Sequence, residues 1–148
     1  MAFKISTGLR NHLLTGGSLK DGLDVMVVRI YSGAVPTSAD DSVGSAVLLC
    51  VLSKNGGGTG VTFEDSPVAG VLSKDDAEEW YGEIVESGTA SFFRGSAITD
   101  AGGSSTTELR IQGTVGLVGA DFLVRDVVFV EGDEQRADSC NIGMPESA

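Results

Sequence analysis

Residues 108–116 read ELRIQGTVG. Leu109, Ile111 and Val115 alternate with Arg110, Gln112 and Thr114. Successive side chains of a strand point to opposite faces, so this period of two predicts a strand with one dry face and one wet face. The same period recurs on both sides of the stretch. Downstream, GADF (119–122) reads as a turn and FLVRDVVFVEG (122–132) as one long strand. QRADSCNIGMP (135–145) closes the set, with Cys140 alternating with Ile142 and Met144 before Pro145 ends it.

Upstream, DAGGSSTT (100–107) has the composition of a flexible loop. EEWYGEIVESG (78–88) puts Trp80, Gly82 and Ile84 on one face and Tyr81, Glu83 and Val85 on the other. The Ser87-Gly88 turn leads into TASFFRGSAI (89–98), so the two segments predict a hairpin. VLSKDD (71–76) predicts a short strand, and AVLLCVLS (46–53), with its unbroken apolar run, a strand buried on both sides. KNGGGTG (54–60) and DSPVAG (65–70) are turns around VTFE, and SGAVPTSADDSVGS (32–45) is a loop. Met26, Val28 and Ile30 alternate with Val27, Arg29 and Tyr31 in the first long strand.

The N-terminus is different. From Ser6 to Gly16 the spacing is helical, with Leu9, Leu13 and the neighbouring Leu14 assigned to one side. Ser6 or Thr7 caps its start and Gly16-Gly17 ends it in a left-handed turn; a further half-turn runs from Ser18 to Leu23. A helix this short is unstable alone in water and must lay its leucines on another surface.

The expected architecture is therefore all-β: an antiparallel sandwich of about eight strands with one short N-terminal helix. It forms a single domain over residues 1–148, with residues 1–23 as a helical arm and 24–148 as strands. No strand–helix–strand alternation points to a parallel sheet.

Composition bounds the function. The chain has 148 residues and a net charge of −11, from 21 acidic and 10 basic residues. Such acidity disfavours nucleic acid, whose affinity comes from Lys and Arg on phosphates, and likewise disfavours anionic membranes. No run approaches a membrane helix and no apolar stretch follows Lys4 and Arg10 as in a secretory signal, so a cytoplasmic site of synthesis is expected. Cys50 and Cys140 are too few and too distant for a metal cluster and read as buried small hydrophobes.

Catalytic readings are weak. His12 is the only histidine, and no nucleophile motif accompanies it. Lys54 precedes its glycines, where a phosphate-binding loop needs the lysine after them. Asp75, Asp76, Glu78, Glu79 and Glu83 form an acidic run without EF-hand spacing and read as a solvated face. No cofactor or metal is expected. Trp80 and Tyr81 fall on opposite faces, as do Phe92 and Phe93, so one ring of each pair belongs to the core and the other is a candidate anchor for a partner. The candidate interaction residues are Leu9, Leu13, Leu14, Trp80, Tyr81 and Phe93.

The order of the segments ISTGLRNHLLTGGSLKDGL, VVRIYSGAVPTSAD, GVLSK, SGTASFFR and RIQGTVG resembles a group of small virion-associated structural proteins encoded among the head and tail genes of tailed bacteriophages. The resemblance implies a sandwich of jelly-roll type, assembly into the virion from the host cytoplasm, and action by packing without catalysis. It implies a homo-oligomer that partners the major capsid protein or other virion proteins, as a capsid decoration or cement protein, or else in the tail, collar or fibre attachment. From the aromatic residues alone, a carbohydrate-binding sandwich module is the alternative of another class. Two jobs are open to the opening helix: covering one end of the sandwich, or docking onto the shell or a sister copy. The short link to the first strand favours the former.

Overall fold

The computed structural model describes residues 3–137 and 139–143. In chain order these form β1 (Lys4–Ile5), α1 (Thr7–Leu14), α2 (Leu19–Leu23), β2 (Met26–Ser32), β3 (Val47–Lys54), β4 (Val71–Ser73), β5 (Trp80–Glu83), β6 (Gly88–Thr89), β7 (Phe92–Ala97), β8 (Ile111–Gly116), β9 (Phe122–Leu123), β10 (Val128–Phe129), β11 (Glu134–Ala137) and β12 (Asn141–Gly143). The fold is all-β and sandwich-like. The main sheet runs β1-β8-β7-β2-β3-β5-β11, with β9 joining the outer side of β8. Every pair in it is antiparallel except β8 with β9. Two ribbons, β10-β6 and β12-β4, complete the strands. The strands outnumber the expected eight because several segments break into two-residue pieces.

One face of the main sheet supplies Met26, Val28 and Ile30 from β2, Phe93 from β7, and Ile111 and Val115 from β8 to a single apolar cluster. Opposite them lie Leu72 of β4, Ile142 of β12, Phe129 of β10, Phe63, and Leu9 and Leu23 of the two helices. The period of two in β2 and β8 thus builds the core the sequence implies. A register shift between Ile30 and Tyr31 interrupts the pairing of β2 with β3. Leu49 is the extra residue at the shift, and it and Cys50 are both buried.

The helix α1 forms for local reasons. The Ser6 hydroxyl accepts the Leu9 N–H at 3.1 Å, the bond expected of an N-cap. Gly16 has φ +100°, and the Gly17 N–H reaches the His12 carbonyl at 2.9 Å, closing the helix as a left-handed turn. The same Ser6 hydroxyl donates to the Glu108 carbonyl at 2.7 Å, stitching the helix to the approach of β8. Leu9 is fully buried and Leu13 packs against the core. The helix therefore covers one end of its own sandwich. Leu14 departs from expectation and is 83 % exposed. At about 100° per residue, Leu14 lies roughly 140° round the helix from Leu9, whereas Leu13 lies about 40° from it.

Two strand expectations fail. Residues 78–98 do not form a hairpin: β5 pairs with β3 and β11, and β7 with β2 and β8. The Ser87-Gly88 turn instead feeds β6, whose partner is β10. Residues 122–132 are not one strand, because the Asp126 carboxylate accepts the Val128 N–H at 2.9 Å and turns the chain between β9 and β10. Met144 and Pro145 lie outside the described residues.

Two backbone positions are tight. Gly82 sits where β5 crosses β3, and a Cβ there would fall 1.9 Å from the Val51 carbonyl oxygen. Val25, exposed at the α2–β2 junction, has φ +62°, a left-handed backbone costly for a β-branched residue. Gly82→Ala is expected to destabilise the fold by about 2 kcal/mol in urea unfolding, through forced displacement of paired strands. Val25→Asn is expected to raise stability by about 0.5–1 kcal/mol in the same measurement, since Asn tolerates this conformation and no buried contact is lost.

Candidate interaction surface and the buried polar face

The side of β8 expected to be wet is covered. Arg110, just before the strand, and Gln112 within it are fully buried. The cover is the loop between β2 and β3, here the strap (residues 33–46), together with residues 98–105. Arg110 holds both. Its Nε and Nη2 donate to the two Asp100 carboxylate oxygens at 2.6 and 2.8 Å, a two-pronged pairing. Its Nη1 donates to the Ala39 carbonyl at 3.0 Å and its Nη2 to the Gly103 carbonyl at 2.7 Å. Gln112 Nε2 reaches the Pro36 carbonyl at 2.9 Å. Asp40, from the same strap, accepts the Thr7 N–H at 2.8 Å and the Thr7 hydroxyl at 2.5 Å, tying the strap to the first turn of α1. The segment DAGGSSTT is therefore anchored where its composition suggests looseness: Asp100 is buried, and the Ser105 N–H donates to the Asp40 carbonyl at 2.8 Å.

Burial alone would raise the Asp100 pKa. Hydrogen bonds from Arg110 and from the Gly102 N–H outweigh it, and the carboxyl titrates below its ordinary value. Glu78 behaves alike: burial opposes ionisation, but the Thr62 N–H at 3.0 Å, the Thr62 hydroxyl and Lys54 at 3.3 Å hold it charged. Glu78 also accepts the Trp80 indole N–H at 3.2 Å.

These contacts decide the fate of the aromatic candidates. Trp80 is fully buried, meeting Phe63 edge-on with ring centroids 5.3 Å apart. Tyr81, on the opposite face, is half-buried; the Arg136 guanidinium lies 4.9 Å from its ring centroid, and its ring rests on Gly56. Neither ring offers the open face that sugar stacking needs. Phe92 and Phe93 are both buried, Phe92 stacking on Tyr31 under the strap and Phe93 against Phe122 in the core. Phe93 is thus a core residue and no anchor. The reason is the same as for Arg110: the sheet is covered on both faces. Of the six candidates, Leu9, Leu13, Trp80 and Phe93 serve the interior, Tyr81 is half-covered and Leu14 alone is freely exposed.

The chemistry-bearing residues are dispersed. The His12 ring packs on Gly17 and Gly22, with Nε2 3.7 Å from Asp21. Cys50 and Cys140 are free thiols, both pushed up to about 12, Cys50 by burial and Cys140 by burial that outweighs the nearby Lys74. Among the described residues no cluster of His, Cys, Asp or Glu is placed to hold a metal ion, and no helix is long and apolar enough to cross a membrane.

What the surface does present is an apolar corner that sequence reading missed. Leu123 of β9 pairs in register with Gly116 at the end of β8, and Leu117 and Val118 follow immediately. Val118 is 86 % exposed and Leu123 62 %, with Leu117 also exposed. Phe3 and Leu123 line one groove of about 420 Å³, which continues along Phe93, Ile111 and Ile142. Isolated exposed apolar residues are ordinary, but a group at one sheet edge is the usual mark of a contact surface. The signal was in VGLVGADFL, of which VG reads as the end of a strand, GADF as a turn and FL as the start of the next strand, with Leu117 and Val118 unassigned.

No protein-family model, curated protein or solved structure matches the chain.

The Arg110–Asp100 pair fixes a pH dependence. Because the folded pKa of Asp100 is depressed, its contribution is complete above the ordinary carboxylate range and is lost as pH falls through the lower folded value. Asp100→Asn is expected to cost about 3 kcal/mol at pH 7, leaving Arg110 buried and uncompensated. The gap between variant and parent in denaturant unfolding should narrow below about pH 4.

Proposed function

We propose that this protein is a non-enzymatic structural component of a tailed-phage particle, a capsid decoration protein that acts as an oligomer by packing between capsid subunits. The observation that carries the reading is the apolar corner of Leu117, Val118 and Leu123 at the outer edge of the main sheet. Those side chains gain by leaving water, and the sheet edge beside them offers main-chain groups for pairing. The order of the segments from ISTGLRNHLL to RIQGTVG supports placing that contact in a virion. A net charge of −11 suits a protein displayed in many copies, whose outer faces repel one another.

A rigid body suits this work as well. Both faces of the sheet are covered, so little ordering remains for the moment of docking and little entropy is lost then. The N-terminal helix is already seated on its own chain through Leu9 and Ser6, which leaves the β8–β9 corner as the surface for a partner.

The test is particle composition with the surface altered. The parent chain should co-purify with heads at a copy number in fixed proportion to the major capsid protein. Val118→Asp with Leu123→Asp should leave thermal unfolding within about 2 °C of the parent, as exposed substitutions do, and reduce incorporation at least tenfold. A parent chain missing from purified particles, or a double variant incorporated as well as the parent, would overturn the proposal.

A further inference from the structure

Asparagine is one of the thermolabile residues, because its side-chain amide is open to attack by the main-chain nitrogen of the residue that follows. The bulk of that next residue decides how free the approach is. The chain has three asparagines. Asn11 lies within α1 and is followed by His12, and Asn141 lies in β12 and is followed by the β-branched Ile142. Asn55 alone precedes a glycine, in the turn KNGGGTG (54–60) that leaves β3.

The fold adds three features to this pairing. Asn55 is exposed, as are the four residues after it, so water and hydroxide reach the turn. The backbone is left-handed at Asn55, Gly56 and Gly58, with φ of +50°, +66° and +81°, and the glycines let it change conformation at little steric cost. Asn55 Oδ1 accepts the Glu79 N–H at 2.9 Å, just before β5. A main-chain N–H at that distance stabilises negative charge developing on Oδ1 when Cγ is attacked. The attacking group is the Gly56 nitrogen, whose N–H is held only by a long bond of 3.3 Å to the Ser53 carbonyl.

We propose that Asn55 is a site of spontaneous conversion to aspartate and isoaspartate. The Gly56 nitrogen loses its proton to hydroxide and bonds to Asn55 Cγ. The Cγ–Nδ2 bond breaks, and Nδ2 leaves as ammonia with a proton from water. The five-membered imide that remains is opened by a second water. Attack at Cγ restores the main chain and gives aspartate. Attack at the Asn55 main-chain carbonyl routes the chain through Cβ and Cγ and gives isoaspartate. The net change is one amide and one water to one carboxylic acid and one ammonia, with no oxidation or reduction.

The two products act differently on the fold. Aspartate keeps an oxygen for the Glu79 N–H and adds one negative charge. Isoaspartate lengthens the main chain by one carbon. The Asn55 N–H also donates to the Glu79 carbonyl at 2.6 Å, so these two residues are bonded in both directions, and the lengthened chain cannot hold both bonds. Gly56 lies under the Tyr81 ring, and Ser53 and Lys54 pair with Tyr81 and Trp80, so the loosening reaches the β3–β5 ladder. The turn lies away from β8 in the strand order, and the site is independent of the function proposed above.

The test ages the full folded chain in mildly alkaline heavy-oxygen water and digests it in acid. The peptide holding Asn55 should exchange its amide for a carboxyl carrying one solvent oxygen and resolve into two products of equal mass. That conversion should run at least roughly tenfold faster than at Asn11 or Asn141. Asn55→Asp should unfold within about 2 °C of the parent, and the separated isoaspartate fraction at least about 3 °C lower. An Asn55 that stays intact in the folded chain while converting in urea, or that converts no faster than Asn11 and Asn141, would overturn the site. An isoaspartate fraction as stable as the parent would overturn its effect on the Glu79 clasp.

Discussion

The two-pronged bond between Arg110 and Asp100 organises one whole side of the molecule. It joins the residues leading into β8, the loop after β7 and, through the Ala39 carbonyl, the strap between β2 and β3. Asp100 and Arg110 are 10 residues apart within one connection, but Ala39 of the strap is 71 residues from Arg110, and ordering so distant a loop costs entropy that local contacts cannot repay. A buried ion pair is a poor source of net stability, because desolvation consumes most of its attraction. It is a strict condition on geometry, however. The carboxylate must meet the guanidinium, or both are left uncompensated. The pair therefore dictates where the strap lies, and the strap turns a one-faced sheet into a sheet covered on both sides.

That covering has consequences for the rest of the surface. Aromatic residues that could have served as ligands are drawn inside: Phe92 onto Tyr31 beneath the strap, Phe93 into the opposite core, Trp80 against Phe63 with its indole held by Glu78. Among the apolar side chains left outside, Leu117, Val118 and Leu123 lie together where the sheet ends, at the β8–β9 corner. An acidic body with a greasy corner is what the proposed packing role asks for. The geometry and the proposed place in a virion meet at that edge.

Much of the core was legible in the sequence. The period of two in Met26–Tyr31 and in 108–116 placed Val28, Ile30, Ile111 and Val115 correctly, and Ser6 with Gly16 marked the ends of α1. What local pattern could not carry was partnership. The Ser87-Gly88 turn is a hairpin signal, but the choice of partner for β5 rests on packing against β3 and β11, which no short window contains. The wet face of β8 failed for a related reason. Arg110 and Gln112 look like solvent-facing residues until Asp100 and the Pro36 and Ala39 carbonyls arrive from elsewhere in the chain. Polar alternation records which side a residue faces, and not whether water is there. The candidate surface suffered most, because exposure is a property of the finished fold. Leu123 reads as strand and Val118 falls between the strand at 108–116 and the turn at 119–122, and neither position by itself signals a sheet edge.

The central claim is that the strap is a fixed layer of the fold, clasped by Arg110. Amide hydrogen exchange at Val43, Gly102 and Ser105 tests it most directly. Their N–H groups donate to the Gly102 carbonyl, the Asp100 carboxylate and the Asp40 carbonyl at 3.0, 2.9 and 2.8 Å. Slow exchange at all three, lost together when Arg110 is replaced by Met, is the expected result. Exchange at these amides as fast as in an unstructured peptide would contradict the claim.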